Sequence, residues 1–248
     1  MTPVHIREVG PRDGLQGETP LPPAKRVALI ESLAATGVAD IEAVAFVSSR
    51  VIPAMAGAAE VMAALPRHPG VRYWALVPNL RGAEMALAAG VDGLTVTASA
   101  SEAYSQKNVA MSVDQSVAEA GRIATLAGGR VPVDAVISCA FGSPFEGDIE
   151  GSSVAPLVRR LLDVGATRIT LADTTGMATP RLIEAVLIDP PVAVGLHLHN
   201  TRGTALLNAY AAVQLGFSQF DCAVGGLGGS PTTPGAGGNL ATEDLVHL

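Results

Sequence analysis

The sequence is poor in cysteine, in aromatic residues and in positive charge, and each shortage narrows what the chain can be. Only two cysteines occur in 248 residues, Cys139 and Cys222. They show no metal-ligand spacing and imply no disulfide pair, so they read as reduced thiols of a cytoplasmic protein. Aromatic residues make up 4% of the chain against 48% hydrophobic residues overall, so the core must be built from Ala, Val, Leu and Ile. Lys and Arg number 16 against 23 Asp and Glu, for a formal net charge of −7. That balance argues against a nucleic-acid partner, which needs a basic stripe. No apolar run is long enough to cross a bilayer. The opening Met1-Thr-Pro-Val-His-Ile-Arg-Glu8 has the character of a strand, not of a signal peptide. There is no Gly-x-Gly-x-x-Gly after the first strand, and no linker or low-complexity stretch, so residues 1–248 are expected to form one domain.

What is present is a repeated ending. Ala-Ala-Thr-Gly37, Ala-Ala-Gly90, Asp-Val-Gly165 and Gln-Leu-Gly216 each close a helical pattern and lead within a few residues into a buried strand. Glycine suits such an ending because it takes the left-handed conformation without a Cβ penalty. Strands of the same kind are expected over 4–9, 71–77, 131–138 and 192–199, which makes eight, each followed by a helical pattern. They are rich in Val, Ile, Leu and Ala on both faces, which implies a parallel sheet covered by helices. Eight units in about 250 residues is the size of a (β/α)8 TIM barrel; a doubly wound open sheet is the alternative. The stretch 100–112 is expected to be a mostly polar loop at the barrel top, and long loops are usually functional.

In such a barrel the chemistry collects at the C-terminal ends of the strands. His197 and His199 stand two apart in a strand and so share a face. A pair of buried, hydrogen-bonded histidines would explain the spacing without function, but imidazole is also the commonest protein metal ligand. With Asp13 after the first strand and the amide oxygen of Asn239, the two histidines make a mixed N/O set suited to Mg²⁺, Mn²⁺, Zn²⁺ or related ions. Arg12 could form a surface salt bridge, or stabilise an oxyanion at the mouth. Glu42 is either a buried, paired carboxylate or part of the site. Asp173 reads as a cap of the following helix. The run 225–229 reads as a phosphate cradle, a lid or a tight turn. His5, His68 and His247 read as surface residues.

These residues stand in a recognisable pattern. Arg-Glu-Val-Gly-Pro-Arg-Asp-Gly-Leu-Gln at 7–16 resembles the opening of the 3-hydroxy-3-methylglutaryl-CoA lyases. The segments 41–48, 77–82, 100–102 with Lys107-Asn108, 138–147, Asp173-Thr174, His-Leu-His at 197–199, 226–229 and 238–246 continue the likeness in order along the chain. The resemblance implies a metal-dependent lyase barrel that cleaves 3-hydroxy-3-methylglutaryl-CoA, or a related 3-hydroxyacyl-CoA, to acetyl-CoA and a 3-oxo acid. It implies a divalent cation (Mg²⁺ or Mn²⁺ first, Zn²⁺ or Co²⁺ as alternatives) on Asp13, His197, His199 and Asn239. Arg12 would stabilise the enolate oxygen, Glu42 would stand beside the metal, and His197 would double as an acid/base group. Arg12, Gln16, Asn108, Ser138 and Thr174 are the expected substrate contacts, with Lys107 and Arg50 as cations for the CoA phosphates. A homodimer is the expected assembly.

The chain also departs from the family. Its glycine-rich loop reads Gly228-Gly229-Ser230-Pro231, where the family has Gly-Gly-Cys-Pro and uses the cysteine as proton donor. A thiol has a pKa of about 8.5 and a serine hydroxyl is a far weaker acid, so Ser230 is placed in the catalytic set as a poor donor. Asn200 and Arg202 stand where Asp and Tyr are common, and Ser49-Arg50-Val51 replaces Pro-Lys-Trp. The C-terminal extension is expected to be short or missing. Two rivals therefore stand beside the lyase: an aldolase or Claisen-condensing acyltransferase acting on a 2-oxo acid, and an impaired barrel with a binding role.

Overall fold

The computed structural model describes residues 3–186, 194–229 and 237–248. Within them eight parallel strands follow one another in chain order and close into a barrel, the last pairing with the first. The strands are β1 (His5–Glu8), β2 (Asp40–Ala45), β3 (Arg72–Leu76), β4 (Gly93–Ser99), β5 (Val133–Ser138), β6 (Arg168–Asp173), β7 (Val194–Leu198) and β8 (Gln219–Cys222). The described helices are α1 (Pro23–Ala34), α2 (Ala58–Ala64), α3 (Leu80–Ala88), α4 (Glu102–Val109), α5 (Val113–Ala127), α6 (Gly151–Asp163), α7 (Pro180–Ala185), α8 (Ala205–Gln214) and α9 (Thr242–His247). The TIM barrel expected from the repeats is the fold observed. Gly37, Gly90, Gly165 and Gly216 all carry positive φ, from 74° to 107°, as the helix-ending motif requires. Residues 192 and 193 of the expected seventh strand lie outside the described residues.

Two expectations need correction. The polar stretch 100–112 is mostly helical. Ser101 accepts from the backbone N–H of Tyr104 and caps α4, and Ser112 with Gln115 forms a capping box that starts α5. Caps act through single hydrogen bonds, so a polar helix of two turns shows no apolar period. The strands are also not apolar on both faces. Their outward residues, such as Ile169 and Leu171 of β6, Leu196 and Leu198 of β7 and Phe220 of β8, join one apolar cluster with α-helical residues such as Ile30, Ala120, Ile123 and Leu161. Each such side chain fully buried is worth roughly 1.5–3 kcal/mol, so this layer holds the barrel together. The inward face is polar. Arg7 on β1 reaches Thr95, Asp134 and Asp221 on three other strands, and Thr170 reaches Asp134.

Candidate metal centre and active site

The site begins where β1 runs out. Gly10–Gly14 is a wide helical turn in which the N–H groups of Gly14 and Leu15 reach back five residues, to the carbonyls of Val9 and Gly10 at 3.2 and 3.0 Å. Single turns of this kind recur at functional sites. This one sets Arg12 and Asp13 side by side, 8% and 6% exposed.

Arg12 does not form the surface salt bridge that the sequence left open. Its Nε donates to Glu42 Oε2 at 2.5 Å, its Nη2 lies 2.5 Å from the same oxygen, and its Nη1 donates to Asp13 Oδ1 at 2.8 Å. Burial works against the charge, but Glu42 and Asp13 outweigh it and hold the guanidinium above its ordinary pKa. Glu42 is thus the buried, paired carboxylate, and its partner is Arg12 of the candidate site. Its Oε1 is buried with no hydrogen-bond partner.

His197 lies near the end of β7 and His199 one residue beyond it, bridged antiparallel to Asn239. Leu240 donates its N–H to Leu198 at 2.8 Å and Asn200 donates to Gly238 at 2.7 Å. That short ladder brings Asn239 back to Asp13. The Asn239 Nδ2 donates to Asp13 Oδ2 at 2.7 Å and to the Leu227 carbonyl at 2.8 Å, while Gln16 Nε2 donates to Asp13 Oδ1 at 3.0 Å. Burial alone would push the Asp13 carboxyl up, but Arg12, both histidines and Asn239 hold it below its usual value. Gly228 closes the space beside them. A Cβ there would stand 2.4 Å from Asn239 Nδ2, and its φ is +117°, so only glycine fits.

The ligand atoms of Asp13, His197 and His199 all lie within 4.8 Å of one another. The hydrogen bonds behind the rings decide what these atoms offer. His199 Nδ1 is 3.0 Å from the carbonyl of Gly237, which can only accept, so Nδ1 carries the proton. His197 Nδ1 is 3.3 Å from Asp221 Oδ2. Burial pushes against ionisation of Asp221, yet Arg7 and His197 hold it far below the usual carboxylate range, so His197 also donates from Nδ1. In the neutral rings both Nε2 lone pairs then face each other across 3.2 Å. Two facing lone pairs repel unless a proton or a cation stands between them. Asn239 Oδ1 is also buried without a partner. Two imidazoles, a carboxylate and an orphaned amide oxygen fit a divalent cation of the Mg²⁺, Mn²⁺ or Zn²⁺ class.

The remaining expected residues divide. Ser138 and Thr174 are buried at the ends of β5 and β6, where Thr174 Oγ1 accepts from the N–H of Cys139 at 2.9 Å. Asn108 lies on the exposed side of α4, and among the described residues no hydrogen bond joins it to the cluster. Lys107 rests over the Phe145 ring at 4.7 Å. Ser230 and Pro231 lie outside the described residues. Asn200 accepts from Ala205 N–H at 3.2 Å, and Arg202 donates to the carbonyls of Thr175 and Gly176 at 3.0 and 2.8 Å. These two residues thus fasten the mouth loops. His68, expected at the surface, is half-buried.

Asp173 is the residue that sequence reasoning undervalued. It does not cap α7; Thr179 does, accepting from Leu182 N–H. Asp173 Oδ1 accepts from Ala178 N–H at 3.0 Å, while its Oδ2 is buried and unpartnered. Burial pushes its carboxyl up to about 7 despite hydrogen bonds from Ala178 and Met177 and the nearby Arg202 and His197. The carboxyl thus holds its proton more readily than an ordinary aspartate. Its position at the end of β6 was a visible signal, set aside for a commoner role.

Comparison with known proteins identifies the family. The profile of the HMGL-like family matches residues 3–248. The hydroxymethylglutaryl-CoA lyase of Pseudomonas mevalonii is 46% identical over 255 residues, covering 100% of this chain and 85% of that enzyme. The 3-hydroxy-3-isohexenylglutaryl-CoA/hydroxymethylglutaryl-CoA lyase of Pseudomonas aeruginosa is 44% identical, covering 99% and 84%. Among solved structures, an HMG-CoA lyase from Acinetobacter baumannii in complex with coenzyme A and 3-methylmalate superposes with a TM-score of 0.94 at 42% identity, covering 98% of this chain and 82% of that one. With the family profile matching residues 3–248 and enzymes at 44–46% identity covering essentially the whole chain, the chain belongs to the HMGL-like family, and within it to the hydroxymethylglutaryl-CoA lyases.

Proposed function

We propose that this chain is a divalent-cation-dependent carbon–carbon lyase that cleaves 3-hydroxy-3-methylglutaryl-CoA, or a close 3-hydroxyacyl-CoA, to acetyl-CoA and a 3-oxo acid. The observation that carries the reading is the pair of His197 and His199 Nε2 atoms, fixed by their Nδ1 partners to face one another at 3.2 Å beside Asp13 and Arg12. Asp13, His197, His199 and Asn239 would hold the cation. When bound, it would supply Lewis acidity that eases loss of the proton from the substrate's tertiary hydroxyl.

The chain's own side chains divide the remaining work. Arg12 offers a fixed positive partner for the thioester enolate released when the bond breaks, and a preorganised donor does most where charge develops. Glu42 clamps Arg12, and Gln16 steadies Asp13. The Nδ1 of His197 is committed to Asp221, so only Nε2 is left, and one atom cannot be ligand and base at once. Ser138 and Thr174 line the mouth as hydrogen-bonding contacts for the acyl group. Asn108 would reach the substrate only from the mouth's outer rim. Protonation of the enolate falls to water or to Ser230.

Purified protein with Mg²⁺ or Mn²⁺ should release acetyl-CoA from 3-hydroxy-3-methylglutaryl-CoA, read by thioester chromatography. Ser230→Cys should speed turnover if enolate protonation limits it. Failure to form product from this thioester and from a longer 3-alkyl analogue would overturn the reading. Thiol release from acetyl-CoA with pyruvate or oxaloacetate would favour the condensing alternative instead.

A further inference from the structure

A TIM-barrel interior is ordinarily filled by Val, Ile and Leu, and this one holds an ionic network instead. Arg7, Asp134 and Asp221 are 1%, 0% and 2% exposed. The Arg7 guanidinium grips Asp221 with both arms, Nε to Oδ1 at 2.9 Å and Nη2 to Oδ2 at 2.8 Å. Its remaining arm, Nη1, meets Asp134 Oδ2 at 2.7 Å on the strand across the barrel, with Thr95 Oγ1 at 3.4 Å. Trp74 lies under the guanidinium at 5.3 Å, and Thr170 Oγ1 donates to Asp134 at 2.9 Å. Arg168 stands at the edge, 3.6 Å from Asp134 and 3.9 Å from Asp221.

Such a network is a poor way to gain stability. Removing charges from water costs several kcal/mol per ion, and apolar residues of the same volume often do as well or better. Its layout suggests another use. Asp221 is clamped on both oxygens from one side and leaves Oδ2 open to a single further donor, His197 Nδ1. A carboxylate behind a ligating imidazole fixes ring orientation and tautomer and makes the far nitrogen a better ligand.

We propose that Asp221 and Arg7 are positioning residues for the cation site. In this relay Asp134 anchors Arg7, Arg7 locks Asp221, and Asp221 holds His197 with its proton on Nδ1 and its Nε2 lone pair aimed at Asp13 and His199. The relay rests on the cation reading above. It adds that a network drawn from strands around the barrel interior sets how well one ligand binds, without touching substrate.

The test is Mn²⁺ binding to metal-free protein, followed by electron paramagnetic resonance, with the visible spectrum of the Co²⁺ form as a second readout. Asp221→Asn keeps the shape but puts an amide, able to donate, behind the ring. It should weaken Mn²⁺ binding by about 10–100-fold and alter the Co²⁺ bands. Arg7→Lys keeps the charge but loses the two-armed grip, and should weaken binding less. Asp134→Asn, acting only through Arg7, should weaken it least. If Asp221→Asn does not fold, Arg7→Lys decides the matter. Folded variants that bind Mn²⁺ like the wild type and differ only in thermal midpoint would overturn the relay and leave the cation site standing. Wild-type protein that binds no Mn²⁺ would overturn both.

Discussion

Along β5, β7 and β8, neighbouring residues serve two different media. On β8, Phe220 and Cys222 join the apolar layer beneath the helices while Asp221 between them joins the ionic network inside. On β5, Val133, Ala135 and Ile137 lie in the apolar layer and Asp134 meets Arg7. On β7, Leu196 and Leu198 flank His197 in the same way. Both faces are buried, so burial does not distinguish them. The outer face gains from leaving water, and the inner face spends part of that gain to hold charges in place. On these three strands the apolar layer and the buried charges are thereby carried by alternate residues, and a substitution there should disturb one or the other according to its parity.

The largest separation is expected from Arg12→Lys at the mouth. It keeps a charge but loses the fork that spans Glu42 and Asp13. Steady-state kinetics should show kcat reduced by about 10²–10³-fold, the scale of losing one preorganised donor at a developing oxyanion, with far-UV circular dichroism retained. A variant with unimpaired kcat would remove Arg12 from the reacting centre. The outer face should give the opposite result. Ile169→Ala is expected to cost about 2–5 kcal/mol in urea unfolding, as buried large-to-small changes do, with kcat of the folded enzyme preserved.

A smaller effect, and one that depends on pH, is expected at Asp173. Its folded pKa of about 7 is raised by burial above the value of roughly 3.9 for an unfolded aspartate. The folded state therefore binds the proton more tightly. The stability this contributes is fully present below about pH 4 and is lost as pH rises through 7. Metal-free wild type should lose stability relative to Asp173→Asn across that window, with the difference complete above pH 7. Parallel pH dependences in urea unfolding would show that the carboxyl ionises as in the unfolded chain. The smallest effect is expected at Ser143, whose hydroxyl donates to Ser101 at 2.9 Å and accepts from Phe145 and Glu146. Ser143→Ala should cost about 1 kcal/mol, the net worth of a typical hydrogen bond, read by the thermal midpoint.

How legible this was in the sequence follows from the same alternation. Glycine-ended helices followed by Val- and Ile-rich strands gave away the barrel, because both signals are local. His197 and His199 were visible as candidate ligands because they lie two residues apart. Arg7, Asp134 and Asp221 were not, since Arg7 and Asp221 are 214 positions apart and nothing local marks either as one of a pair. Reading the strands as apolar on both faces missed single charges set between hydrophobic neighbours. α4 was missed because a short polar helix depends on its cap, and Asp173 because a carboxylate before a turn has a commoner use. Asn239 stood out as a candidate, but its reach to Asp13 depends on the ladder between 198–200 and 238–240, which only the fold supplies.

The most direct measurement is acetyl-CoA release from 3-hydroxy-3-methylglutaryl-CoA by protein first stripped of metal with a chelator and then titrated with Mn²⁺. Cleavage should vanish on stripping, return in proportion to bound Mn²⁺, and fail to return in His199→Ala. Cleavage that survives stripping, or that Mn²⁺ restores equally in His199→Ala, would contradict the assignment of the inner face as a cation-dependent lyase site.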